Sequence, residues 1–405
     1  ISHHRLGIYY LYFTPTEDIL FTENETNTER LFGRKNNNIF VKDAFHSAII
    51  EGKNFNELKE QCEGTKCALV YRATIQPGSS YTIYLRLSGD IQKSPFPEQF
   101  EDIFVTRKKE ADDFYNSLHF RDLTPEHLNI QRQAFAGMLW NKQFYHYDVE
   151  RWINGSDGIT PKSDQRLNGR NSAWKYLKNH DILSMPDNWE YPWYASWDMA
   201  FHCITMALID PVFAKHQLSL LMREWYMNPQ GQLPAYEWNF SDVNPPVHAF
   251  AALMIYQAEE RFFGQGDTNF LKEIFQKLLI NFTWWTNRKD TLGNSVFEGG
   301  FLGLDNIGLF NRNMAMPKGV ILEQADGTSW MGMYALDMMN MALQIATEDP
   351  SFENAATKFY EHFVIISQAL NVLGLWDEED KFYYDYLNAK GRDPMPLQVR
   401  SIVGL

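Results

Sequence analysis

From Thr124 onward the apolar residues of this chain recur at helical spacing in one segment after another, and most segments open on a recognisable start signal. Thr124-Pro125-Glu126 places a proline at a first helical position, and Phe135, Met138 and Leu139 follow on one face. A helix beginning after Ser196 carries Trp197, Ala200, Phe201, Ile204 and Leu208, and Pro211 opens the next with Phe213, Leu218, Leu221 and Trp225. Asn244-Pro245-Pro246 caps a third that ends near Gly264, Asp267 opens a fourth running to about Arg288, and two more start near Thr328 and Ser351. About seven helices in succession, joined by alternating short and long loops, read as stacked helical hairpins. One closed form of such a stack is a toroid of paired helices with its active site at one rim.

Before Gly89 the pattern is strand-like. Leu6 to Phe13 and Ala68 to Leu87 are rich in Tyr, Ile, Leu and Thr, and Pro77-Gly78-Ser79-Ser80 marks a hairpin turn. The expectation is a multi-domain protein: a partial β-sandwich over 1–89, a linker with a charged helical stretch from Glu98 to Leu118 over 90–122, and a mainly α (α/α)6 toroid over 123–405, incomplete at its C-terminus. Asp148 to Met185 reads as irregular. The loop from Asp290 to Gly327 is longer than a structural connection requires and too apolar for disorder, which points to a functional loop.

Chain length allows two or three domains. A net charge of -14 leaves no basic excess to meet phosphates, so neither nucleic acid nor an anionic membrane is an expected partner. Three cysteines make no disulfide framework, and no His/Cys set has the spacing of a zinc site. Asn24 and Asn281 stand in Asn-X-Ser/Thr sequons too common to carry weight. The chain opens on Ile1 and closes on an apolar run at Leu405, so it reads as a fragment open at both ends. Its location is open, with the cytoplasm slightly favoured, and so is its oligomeric state.

The chemistry concentrates in Trp189-Glu190-Tyr191-Pro192-Trp193-Tyr194-Ala195-Ser196-Trp197-Asp198. Flat rings hold a pyranose by stacking, and their low polarity keeps a neighbouring carboxylic acid protonated until it donates to a glycosidic oxygen. Aromatic residues make up 15% of the chain, enough to line such a pocket as well as a core. Similar clusters stand at Tyr236-Glu237-Trp238 and Asp326-Gly327-Thr328-Ser329-Trp330. Each also has a plainer reading. Asp198 is a first-turn aspartate that a helix dipole favours, with Ser196 as cap, and that dipole lowers the pKa a general acid needs raised. His202, one turn on, reads as structural, and Glu237 reads equally as a solvated loop acid or a sugar-hydroxyl ligand. No phosphate-binding loop, dinucleotide fingerprint or Gly-X-Ser-X-Gly elbow occurs.

These residues form a pattern. Phe21 to Asn27, Val41 to His46 and Gly64-Thr65-Lys66, with Trp197 to His202, Arg223 to Tyr226, Gly231 to Trp238, Asp242 to His248 and Gln324 to Trp330, resemble bacterial and fungal members of glycoside hydrolase family 63. The resemblance covers nearly the whole chain and is most specific from Trp193 to His248. It implies a β-sandwich followed by an (α/α)6 toroid and hydrolysis of α-glycosidic bonds with inversion. Relatives in the family include a processing α-glucosidase and hydrolases of mannosylglycerate and glucosylglycerate. The family's general acid, the aspartate of the Trp-Asp motif, carries over to Asp198, while its general base falls in a segment beyond Leu405. The expected activity is therefore that of an inverting α-glucosidase on oligosaccharides or small α-glucosides, needing no cofactor and no metal, with the 405-residue piece inactive alone. Trp140, Trp193, Trp197, Tyr236, Glu237 and Trp330 are expected to border the sugar. The alternatives are a mannosylglycerate or glucosylglycerate hydrolase and a non-catalytic carbohydrate-binding relative.

Overall fold

The computed structural model describes residues 1–118, 122–155, 162–169, 171–172, 174–189, 193–236, 240, 243–288, 297, 319–323, 325–372, 374–389 and 391–400. It is mainly helical with short strands, and it divides into two compact units, Ile1–Phe114 and Tyr115–Leu405.

In the first unit β1 (Ser2–His3) pairs with β2 (Gly7–Ile8), β3 (Tyr10–Phe13) with β6 (Leu85–Ser88), and β4 (Asp18–Thr22) with β5 (Lys66–Val70), each pair antiparallel. Three short helices, α1 (Thr28–Phe32), α2 (Ala44–Ile50) and α3 (Phe55–Glu60), interrupt what the sequence reads as a continuous β region. Asn27 explains the first of them, since its side chain accepts from the Arg30 N–H and the helix closes on Gly33 at φ +66°. Leu58 of α3 and Phe45 and Ala48 of α2 close over Leu20 of β4 as a small separate core. The Pro77-Gly78 segment does turn, with the Ser79 N–H on the Gln76 carbonyl at 3.1 Å, but the strands flanking it pair elsewhere, so it is not a hairpin. Then α4 (Phe100–Ser117) supplies the charged helix expected between Glu98 and Leu118, and it runs across the boundary between the units.

The second unit begins with α5 (Pro125–Trp140), where the Thr124 side chain accepts from the His127 N–H ahead of the first-turn proline. The stretch expected to be irregular is instead framed by a seven-pair ladder of β7 (Lys142–Asp148) and β8 (Lys178–Ser184), with α6 (Val149–Asn154) and α7 (Asp164–Leu167) between them. Next come α8 (Ser196–Met206), α9 (Pro211–Leu221), α10 (His248–Phe263), α11 (Thr268–Thr286), α12 (Ala325–Ala346) and α13 (Glu353–Val372). A three-stranded sheet of β9 (Val320–Glu323), β12 (Asp385–Ala389) and β13 (Met395–Leu397) and the pair β10 (Trp376–Asp377) and β11 (Phe382–Tyr383) complete the described strands.

Helices next to each other in sequence pack together: α8 on α9, α10 on α11, α12 on α13, with α10 also against α8 and α12. Their inward stripes form one core, including Met199 and Cys203 of α8, Leu218 of α9, Ile255 of α10, Phe275 of α11 and Met338 of α12. Burying each large apolar side chain stabilises the fold by about 1.5–3 kcal/mol. Ala249, Ala251 and Ala252 are fully enclosed on α10, and their small size lets its neighbours approach closely. Among the described residues no helix is long and apolar enough to cross a membrane.

Candidate active site

The Trp-Asp pair sits in the first turn of α8, and the helix is entered without a side-chain cap. Ser196, expected as the cap, is instead the first helical residue and is buried, while Ala195 occupies the cap position. The reason is a backbone bridge: Ala195 pairs antiparallel with Tyr236, and the Ser196 N–H donates to the Ala235 carbonyl at 3.2 Å. The chain thus enters α8 as a strand locked to the 233–236 loop, and that loop takes over part of a cap's work by satisfying an otherwise unmet helix N–H.

This bridge brings four of the expected residues into one neighbourhood. Tyr236 lies directly opposite Ala195, Trp193 stands two residues before it, and Trp197 and Asp198 follow within the first helical turn, all four half-buried. The Trp197 ring meets Phe201 edge-on at 5.8 Å between centroids. Asp198, third in the helix, faces the positive end of the helix dipole, which favours its ionised form. Trp330 is half-buried in the first turns of α12 and packs on the main core. Trp140 ends α5 with 83% of its surface exposed and is held in no cluster with the others; the following Asn141 bonds to the Pro186 carbonyl at 2.5 Å. Glu237 lies outside the described residues. His202 is a hydrogen-bonded partner of Ser184, with Nδ1 and Oγ 3.2 Å apart, and partial burial holds its pKa below the usual range.

Behind the aromatic rim lies a layer of buried polar residues that sequence reasoning left without a role. Asn244 Nδ2 donates to the Ala235 carbonyl at 3.1 Å, so that carbonyl receives both Asn244 and Ser196. Gln232 Nε2 donates to the Phe240 carbonyl at 2.7 Å, and Asn281 Nδ2 to the Gly231 carbonyl at 2.7 Å. The Asn281 sequon is therefore spent on internal structure, with its side chain buried and its amide engaged. His248, first residue of α10, is buried, and burial pushes its imidazole down to about 4 although a hydrogen bond to the Ser196 backbone opposes this. Ser196, Asn244, His248, Asn281, Trp284 and Trp285 surround a crevice of about 10 Å³, room for a single water and far too small for a sugar ring. Asp337, on α12, is buried with Oδ2 unpartnered, and burial raises its carboxyl to about 7. Among the described residues no group of three or more His, Cys, Asp or Glu could hold a metal ion.

The chain around this turn is similar to known proteins. The family model for the mannosylglycerate hydrolase MGH1-like glycoside hydrolase domain matches residues 191–300, which contain the whole constellation except Trp140 and Trp330. The chain is 48% identical to "Uncharacterized protein YMR196W" of Saccharomyces cerevisiae over 96% of its own length, and it spans 38% of that protein. Solved structures similar to it include a family 63 mannosylglycerate hydrolase from Thermus thermophilus in complex with glucose, at 16% identity, 55% of this chain, 67% of that one and a TM-score of 0.42. An uncharacterized conserved protein from the same organism matches at 20% identity, 55% of this chain, 65% of that one and a TM-score of 0.41. The domain signature runs through the Trp-Asp turn at the start of α8.

Proposed function

We propose that this chain belongs to an inverting α-glycosidase of the glucosidase type, acting on oligosaccharides or small α-glucosides, with Asp198 as its proton donor. The observation that carries this reading is the placement of Asp198 in the first turn of α8, with Trp193, Trp197 and Tyr236 gathered beside it by the Ala195–Tyr236 bridge. In this reading Asp198 protonates the leaving oxygen, and Trp193, Trp197, Tyr236, Glu237 and Trp330, with Trp140 more remotely, border the sugar. The base that activates water acts from the opposite face of the ring, and no carboxylate among the described residues is given that role. The chemistry needs no metal or cofactor. The proposed architecture is a β-sandwich over 1–89, a connecting stretch over 90–122 and an (α/α)6 toroid from 123 onward.

The helix dipole opposes the role of Asp198, since it lowers the pKa of a carboxyl that must carry a proton. Half-burial among rings works in the other direction, and a bound sugar completes that burial by excluding water. A mannosylglycerate or glucosylglycerate hydrolase is the second reading, favoured by the description of the domain matching 191–300. The test is Asp198→Asn in the full-length protein. The amide keeps the shape and has no proton to give, so turnover falls about 10²–10⁴-fold while sugar affinity changes little. Near-normal turnover in a folded variant overturns the assignment, and a substrate panel of α-glucosides and glycosyl-glycerates separates the two readings.

A further inference from the structure

Asn244 stands where the sequence reads a helix cap, yet α10 starts four residues later at His248, with Val247 in the cap position and no side-chain cap bond. The Asn244 side chain turns inward instead. It is buried, and its Nδ2 donates to the Ala235 carbonyl at 3.1 Å. The same carbonyl accepts the Ser196 N–H at 3.2 Å, so two donors take up both lone pairs of one oxygen on a buried residue. Three stretches of chain meet there: the start of α8, the 233–236 loop and the segment ahead of α10. Asn244 is presented to this oxygen by stiff backbone. A following proline keeps a residue out of the helical region, Pro245 and Pro246 each have a fixed φ, and the Val247 N–H returns to the Pro245 carbonyl at 2.9 Å.

We propose that Asn244 is a positioning residue for Asp198, anchoring the Ala235 carbonyl to which the first residue of α8 is bonded. The proposal rests on the catalytic reading of Asp198 given above. Ser196 lies two residues ahead of Asp198 in the same helical turn, so a slide of the carbonyl that holds Ser196 is passed on to the carboxyl. Tyr236 moves with it, because it follows Ala235 and is bridged to Ala195. Without the Asn244 amide the carbonyl keeps its bond to Ser196 but loses its tie to the stiff segment ahead of α10. The acid and the ring are then set by a loop that moves with them and not by a fixed point. Ser196 and Asn244 both line the crevice of about 10 Å³, which admits no sugar ring, and Asn244 touches no substrate in this scheme. It acts on the reaction only through where it holds Asp198, and misplacement of a reacting group by about 1 Å is worth roughly 10²-fold in rate.

Two variants of the full-length protein remove this bond. Asn244→Asp has the same shape, but its carboxylate has no hydrogen to give, and Asn244→Ser leaves a hydroxyl one bond short of the carbonyl. The serine variant carries the test alone if a buried carboxylate prevents folding. Ile366→Val is the control, since Ile366 is buried on α13 in the same core, and loss of a buried methylene lowers stability without touching the loop. On an α-glucoside, the Asn244 variants are expected to lose about 10-fold or more in kcat with KM within about twofold, whereas Ile366→Val melts lower yet stays within about twofold in both. Amide hydrogen exchange supplies the arm that needs no substrate. The amides of Ser196 and Met199, which donate to the Ala235 and Ala195 carbonyls, exchange faster in the Asn244 variants, while the amides of α10 beyond Ala252 stay protected. A merely structural asparagine would lower kcat only in step with Tm, as the control does, and that result overturns the proposal. Unchanged exchange at Ser196 in a folded Asn244 variant overturns it as well. If the parent protein hydrolyses no α-glycoside, the glycosidase reading fails, and the exchange pattern still decides whether Asn244 holds the turn.

Discussion

The Tyr334 hydroxyl of α12 lies 3.1 Å from Oδ1 of Asn281 on α11, and both side chains are buried. The same hydroxyl is 3.2 Å from the Leu278 carbonyl, and the other end of the Asn281 amide donates to Gly231. One contact therefore links α12, through α11, to the loop that pairs with the Trp-Asp turn. Burial raises the Tyr334 pKa well above its ordinary value, so the hydroxyl keeps its proton and remains a donor across the working pH range.

Removing that hydroxyl tests the link. Tyr334→Phe fills the same space but removes the single hydroxyl proton available to the Asn281 Oδ1 and the Leu278 carbonyl, and an unsatisfied buried acceptor costs about 1–3 kcal/mol. Denaturant unfolding of the variant should show a loss of that size with the slope unchanged. A midpoint equal to the parent's would mean that the bond contributes nothing to stability.

Gly231 is the other end of the link and has no tolerance for a side chain. Its φ is +92°, and a Cβ there would lie 2.6 Å from the Ile280 carbonyl oxygen, which is backbone and cannot rotate away. Strain of the left-handed conformation alone costs about 1–3 kcal/mol, and the clash adds to it. Gly231→Ala should therefore lower Tm more than Tyr334→Phe does, as read by calorimetry on both. It should also slow turnover, because the 233–236 loop would have to move to relieve the contact. A Tm within a degree of the parent's would contradict the geometry.

The helices were legible because their signals are local. Thr124-Pro125, Asp210-Pro211 and Asp267 stand where the helix starts are, and Gly264 ends α10 in a left-handed conformation. The β7–β8 ladder was not, because its strands lie about thirty residues apart and its alternation is masked by His, Tyr and Lys, with Tyr145 buried beside an exposed Phe144. Pairing of that kind is settled by tertiary contact and leaves little trace in either strand alone. In the candidate site, the rings and Asp198 were visible as composition, whereas the bonds of Asn281 and Tyr334 were not. Their chemistry lies in which groups they meet, and those groups are fifty residues and more away.

Asp337 gives the fold a pH dependence of defined sign. Its carboxyl is raised from the ordinary value to about 7 in the folded protein by burial. The folded state therefore holds a proton that the unfolded chain releases near pH 4, and stability from this group is full below that pH and lost as pH rises through 7. Asp337→Asn removes the titration. Parent and variant should be close in stability near pH 4 and diverge at pH 8 in favour of the variant, by roughly the 1–3 kcal/mol of a buried unsatisfied group. Urea unfolding at several pH values measures both curves, and parallel curves would show that Asp337 does not titrate with folding.

The stereochemistry of the reaction is the sharpest test of the proposed function. A retaining enzyme needs its nucleophile about 5–5.5 Å from the acid, whereas an inverting one keeps the pair about 6.5–9.5 Å apart so that a water fits between base and sugar. Asp198 stands at the start of α8, and the acid nearest to it in the motif pattern, Glu237, follows the residue bridged to Ala195. In the proposed scheme Glu237 binds a sugar hydroxyl and the base works on the far face of the ring, which is the inverting arrangement. Proton NMR of the first-formed product of the full-length protein reads this directly, since an α-glucoside should release β-glucose before mutarotation. If α-glucose appears first, a nucleophile stands close to Asp198, and both the inverting mechanism and the role given to Glu237 must be withdrawn.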